Sequence, residues 1–161
     1  MTWHQQNVKY NSLITQLFDE EDWKKRAEAA RELGLMKDAR AVNLLCRALR
    51  SEKDQMVIDR IIEALGRIGD ARATLRIIEK LDEELDQYEG NKYRLIYILE
   101  ALKLIKDKRS ITHVAPFLNS PDEEIKSLTE KVFDAIIPNW KEIIEKAQER
   151  RSIKDIFSNL I

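Results

Sequence analysis

The chain has one cysteine, two histidines, three prolines and four glycines in 161 residues, and each scarcity closes off a class of explanation. Cys46 alone forms no internal disulfide and holds no metal by itself, which fits a reducing compartment and the role of a small buried helix residue. Neither His4 nor His113 is followed by glutamate, so the clustered His and Glu ligands of a di-iron hydroxylase are lacking. There is also no glycine-rich phosphate loop, no Cys-x-x-Cys pair and no nucleophile in a recognisable turn. The expectation is therefore no catalytic, cofactor-binding or metal residue, and no enzyme. No apolar run approaches the roughly 20 residues of a spanning helix, and residues 1–10 are polar without a signal-like stretch. A cytoplasmic protein without membrane contact follows as the expectation.

What is present is charge and apolar surface in balance. At 43% hydrophobic and 35% charged, the chain can form one domain with a sizeable core. Its formal net charge of −1 argues against a surface built to coat nucleic acid or anionic lipid. An ion-rich, loop-poor composition of this kind is common in thermophile proteins.

One phrase recurs three times: Leu33-Gly34-x-x-x-Asp38-Ala39-Arg40, Leu65-Gly66-x-x-x-Asp70-Ala71-Arg72 and, with Lys103 for glycine, Leu102-x-x-x-x-Asp107-Lys108-Arg109. The leucines are 32 and 37 positions apart, periods that fit one helix-turn-helix unit per copy. Ile58, Ile61, Ile62 and Leu65 fall at i, i+3, i+4 and i+7, and Leu95, Ile98, Leu99 and Leu102 copy them, so a helix precedes each turn. A second stripe follows each turn: Val42, Leu45 and Leu49, then Thr74, Ile77 and Leu81, then Ile111, Val114 and Leu118. Ser51, Ser120 with Pro121 and Glu123, and the acidic run 19–22 read as helix starts. A helix around residues 12–18 would cover one end of the stack. A fourth pair, with Trp140, Ile143, Ile144 and Ala147 in its second helix, lacks the Asp-x-Arg turn; a last short helix with Ile153, Ile156, Phe157, Leu160 and Ile161 would close the other end.

Carried on helix pairs of this period, the phrase resembles the short HEAT-like repeat of phycobilisome-lyase-type proteins, over roughly residues 20 to 150. The resemblance implies an all-α, right-handed α-solenoid of about four HEAT-like helical hairpins with capping helices at both ends. The expected divisions are a cap at 1–19, repeats at 20–50, 51–91, 92–119 and 120–151, and a cap helix at 152–161. Asp38, Asp70 and Asp107 sit where a carboxylate caps the second helix of their own repeat. Arg40, Arg72 and Arg109 can reach the neighbouring repeat, giving a structural ladder of acids and arginines.

In proteins of this type the second helices line the concave side. Their outward positions here carry Asn43, Arg47 and Arg50, then Arg76, Glu79 and Lys80, then Thr112, His113 and Pro116. Four cations against one acid would attract an acidic peptide or a phosphate backbone, although phosphate binding usually needs a longer stripe with stacking aromatics. On the opposite face Tyr93 and Tyr97 stand where the first repeat has Lys24 and Glu28 and the second has Met56 and Arg60. They follow an acidic insertion, residues 82–92, that includes Tyr88, and insertions in solenoids often map to binding faces. These residues are the expected partner-binding positions. The expected function is a non-enzymatic scaffold or complex subunit for a protein or peptide partner. The alternatives are a nucleic-acid-binding or base-modifying module of the DNA glycosylase type and a bilin-lyase-like subunit acting with a partner.

Overall fold

Asp22, Asp54, Asn91 and Asp122 each accept a hydrogen bond from a backbone N–H two residues on, and each starts the first helix of a repeat. In the computed structural model, which describes residues 1–86 and 91–158 and side chains through 151, these helices are α2 (Trp23–Met36), α4 (Gln55–Ile68), α6 (Lys92–Ile105) and α8 (Glu123–Ile136). They are preceded by α1 (Trp3–Asp19) and alternate with α3 (Val42–Ser51), α5 (Thr74–Leu85), α7 (Ile111–Val114) and α9 (Trp140–Ser158). The architecture is the expected all-α solenoid. The first helices pack in one row, α2 on α4 on α6 on α8, with α1 against α2 at one end.

Several local expectations give way. Ser51 is the last residue of α3 and not a cap, and Ser120 bonds the Asp122 N–H while Asp122 caps α8. The leading helix begins at Trp3 rather than near Ser12, its Thr2 cap and Gln5 forming a reciprocal capping box. α7 stops after four residues and continues as a 3-10 helix, Ala115–Asn119, because Pro116 has no N–H to offer Thr112. The acidic insertion is partly a two-residue extension of α5, which runs to Leu85. Trp140 packs on Phe133, ring centroids 5.3 Å apart, but residues 141–151 are all exposed, so α9 does not fold back as the second helix of a hairpin. The boundary expected at 151/152 falls inside α9. Ile153, Ile156, Phe157, Leu160 and Ile161, expected to close the stack, lie outside the residues whose side chains are described.

Counted from the caps, the repeats align residue for residue. Position 11 is the buried Leu33, Leu65, Leu102 and Phe133. Position 12 is Gly34, Gly66, Lys103 and Asp134, and position 10 is Glu32, Ala64, Ala101 and Val132. A Cβ on Gly34 would lie 2.7 Å from Ala64 Cα, and one on Gly66 2.7 Å from Ala101 Cα. Glycine is thus where each first helix meets the next backbone. The helices end in left-handed residues Lys37, Gly69 and Lys106, so two copies hold lysine in a conformation that suits glycine.

One polar group is sunk in this packing. The Arg94 side chain is 1% exposed and bonds Asp59, Glu84 Oε1 (3.1 Å), Gln55 Oε1 (2.8 Å) and the Gln55 carbonyl (3.1 Å). It joins α4, the end of α5 and the start of α6. One guanidinium serves two buried carboxylates, and burial pushes the Asp59 carboxyl above its ordinary value despite Arg94.

Gly34→Ala and Gly66→Ala should each destabilise the fold. Overpacking costs about 1–3 kcal/mol, and the helix-propensity gain offsets about 1 of it; a rise in the denaturation midpoint would show that the crossing has slack. Lys106→Gly should stabilise by about 0.5–1 kcal/mol by removing a Cβ from a left-handed site, read as a higher melting temperature. Because the folded pKa of Asp59 is raised, its contribution to stability is present below the ordinary carboxylate range and lost as pH rises through the folded value. Asp59→Asn should therefore be neutral or stabilising at pH 8, with a smaller pH dependence. Arg94→Met leaves two buried carboxylates unpaired and should cost about 3–5 kcal/mol. Equal losses from the two variants in denaturant titrations at pH 8 would refute this account.

Candidate functional site

The Asp and Arg residues of the repeated phrase come together, and the acids cap a 3-10 turn. Asp38, Asp70 and Asp107 each accept from the backbone N–H of Arg40, Arg72 and Arg109 at 2.9 Å, capping a 3-10 turn that leads into the second helix rather than the helix itself. The same arginines fold back on these carboxylates and reach across the repeat boundary. Arg72 Nη2 donates to the Ala39 carbonyl (2.9 Å) and Arg109 Nη2 to the Ala71 carbonyl (3.0 Å). At the open end Arg40 meets Asn7 Oδ1 (2.9 Å) and lies 4.5 Å from the centre of the Tyr10 ring. The guanidiniums hold Asp38 and Asp70 below the usual carboxylate range and, against burial, bring Asp107 to about 2. Each charge already has its counterion, so the ladder ties repeats together.

The second-helix face is less basic than its sequence. Arg76 pairs with Glu79 and Lys80 with Glu83, one turn on in α5, and both cations are half-buried. Glu83 stands where α3 has its last residue, Ser51. Asn43, Arg47 and Arg50 stand exposed on α3, with Arg47 4.5 Å from the centre of the Phe18 ring; Thr112 and His113 on α7 and Pro116 beyond it are exposed as well. Beside them burial pushes the half-buried Cys46 thiol up, with Arg76 and Arg72 acting against it. Arg47 and Arg50 carry no ion pair among the described residues.

The first-helix face carries a cleft. Glu63 and Arg67 of α4 and Ile96, Tyr97, Glu100, Ala101 and Leu104 of α6 enclose about 410 Å³. Tyr97 lines it, while Tyr93 stands 73% exposed outside it; Tyr88 lies outside the described residues. Five, six and thirteen positions after the cap, α4 has Asp59, Arg60 and Arg67, whereas α6 has Ile96, Tyr97 and Leu104. Charge has given way to apolar surface at all three. Sequence reasoning singled out only the tyrosine; Ile96 and Leu104 differ in charge from α4 alone, since α2 has Ala27 and Leu35 at those positions. Arg94 gave less warning, because a cation three positions into a helix ordinarily reads as solvated.

Comparison with known proteins agrees with the repeat reading and corrects the functional one. Residues 10–90 match the HEAT repeats family. Over 130 residues the chain is 31% identical to the bilin biosynthesis protein PecE of Mastigocladus laminosus and 29% identical to PecE of Nostoc sp. strain PCC 7120. Each alignment covers 76% of this chain and 46% and 49% of the relative, so the chain spans about half the length of the curated relatives it matches. A chain in the solved complex of CpcE and CpcF of phycocyanin lyase from Nostoc sp. PCC7120 matches with a TM-score of 0.70 at 26% identity, covering 88% of this chain and 60% of that one. These likenesses overturn the expectation of a non-enzymatic scaffold: the similar proteins are named for bilin biosynthesis and for a lyase. The missing motifs excluded chemistry carried by one compact site in one chain, and a two-chain lyase need not carry one in each. Built from capped helix pairs closed by Gly–Ala crossings and matching that family over half its length, the chain belongs to the HEAT-repeat family.

Proposed function

We propose that the chain is a subunit of a bilin lyase, an assembly that attaches an open-chain tetrapyrrole to a protein acceptor, and that it works with a second protein chain. The observation that carries this reading is the match across 88% of its length to one chain of a two-chain phycocyanin lyase. The exposed helix α9 supports the need for a partner. Isolated helices draw little stability from propensity alone, and Ile143 and Ile144 face solvent on a helix packed through Trp140. The exposed Arg47 and Arg50 on the second-helix face suit acidic groups of the partner or acceptor. A cytoplasmic location is part of the proposal. Among the described residues no helix is long and apolar enough to cross a membrane.

The test is reconstitution. The chain is co-expressed with CpcF of Nostoc sp. PCC7120, and in parallel with the second-chain candidates of its own source, together with phycocyanin apoprotein and a bilin. Denaturing gels then report covalently held bilin by zinc-enhanced fluorescence. A product that requires both chains is the expected result. Absence of bilin-bearing acceptor in every combination would sink the lyase reading.

A further inference from the structure

We propose that the cleft between α4 and α6 seats an open-chain tetrapyrrole, its rings on Ile96, Tyr97 and Leu104 and one propionate against Arg67. The inference rests on the bilin reading above and adds to it a place on this chain. The volume of about 410 Å³ lies in the range of small-molecule sites, which run from roughly 300 to 1,000 Å³. The apolar floor replaces residues that are charged in the preceding repeat. Ile96 and Tyr97 pack partly against the core, while Leu104 remains 50% exposed at the open side of the cleft.

The polar rim supplies the recognition chemistry. Glu63 accepts from Arg60 Nη1 (2.8 Å) and from Arg67 Nη2 (2.9 Å), so one carboxylate serves two guanidiniums. Asp59, the next acid in α4, is engaged by Arg94. Arg67, with 36% of its side chain exposed, has further N–H groups to give a carboxylate. Across the floor Glu100 holds Lys103 through Oε2 (2.6 Å), which leaves Oε1 to accept from a ring N–H. A guanidinium and a carboxylate facing each other over an apolar and aromatic floor match a flat conjugated molecule with carboxylate arms and pyrrole N–H groups. A protein helix in the same groove offers no such N–H, because its backbone donors are internally bonded.

Biliverdin, a linear tetrapyrrole with two propionates, is the probe, titrated into the full chain and read by visible absorption and induced circular dichroism. Saturable binding is expected, lost by at least about tenfold in Leu104→Arg, which fills the cleft from an exposed position. Leu35→Arg, at the equivalent and equally exposed position of α2, should bind as the parent does. Arg67→Gln should weaken biliverdin by about tenfold yet leave the dimethyl ester unaffected, since the ester has no carboxylate to lose. Parent-like binding by Leu104→Arg, or no binding by the parent chain, overturns the cleft as the site. The lyase reading is judged apart from this, by the reconstituted transfer.

Discussion

The spacing of the first-helix row depends on two places where a glycine faces an alanine. With Gly34 on Ala64 and Gly66 on Ala101, neighbouring helices approach until only a missing Cβ prevents collision. That distance lets the leucine beside each glycine become wholly buried. It also sets the turns at a fixed offset, so that Arg72 and Arg109 meet the same carbonyl of the repeat before, the one just after the capping aspartate. The ladder is thus a consequence of the crossing. Exposed Asp–Arg pairs contribute little stability by themselves, whereas a wrong crossing distance would unseat each buried leucine.

The same constraint accounts for where regularity stops. Position 12 is Lys103 in α6, extended toward Glu100, and position 10 is Val132 in α8. Two side chains now stand where a glycine and an alanine met. Beyond this point α7 breaks at Pro116, the turn before α9 lacks the Asp-x-Arg signature, and α9 leaves the stack. One junction earlier, between α4 and α6, Arg94 holds the lengthened end of α5 to α4 with a buried ionic cluster, a device that positions elements more than it stabilises them.

The fold was legible because its code is local and repeated. Apolar spacing of 3.6, a recurring Leu-Gly and a recurring Asp-x-Arg fix helix pairs without reference to distant residues. Helix starts were less legible: Ser51 and Ser120 look like caps, yet Asp54 and Asp122 take the role because a carboxylate three or two residues nearer the apolar stripe satisfies the N–H groups that matter. The basic groove failed for a related reason. Counting only outward positions of the second helices omitted Glu83, and Arg76 and Lys80 turned out to lean on acids one turn away. Arg94 was invisible because burial of a cation depends on Asp59, 35 positions earlier, and on the two-residue extension of α5 that carries Glu84.

Function was the least legible layer, for a physical reason. The residues that recur do so because every repeat must stack, and stacking residues are spent on one another: leucine in the core, glycine at a backbone, aspartate at a turn, arginine on a carbonyl. A ligand can be recognised only by groups left over from that work. Those include the half-exposed Leu104 of α6 and the part-exposed Arg67 of α4, which shares Glu63 with Arg60. Repeat alignment is therefore a way of subtracting the scaffold. What remains after subtraction is the open side of an apolar cleft and a guanidinium with N–H groups to spare, a combination that a flat, carboxylate-bearing molecule can satisfy.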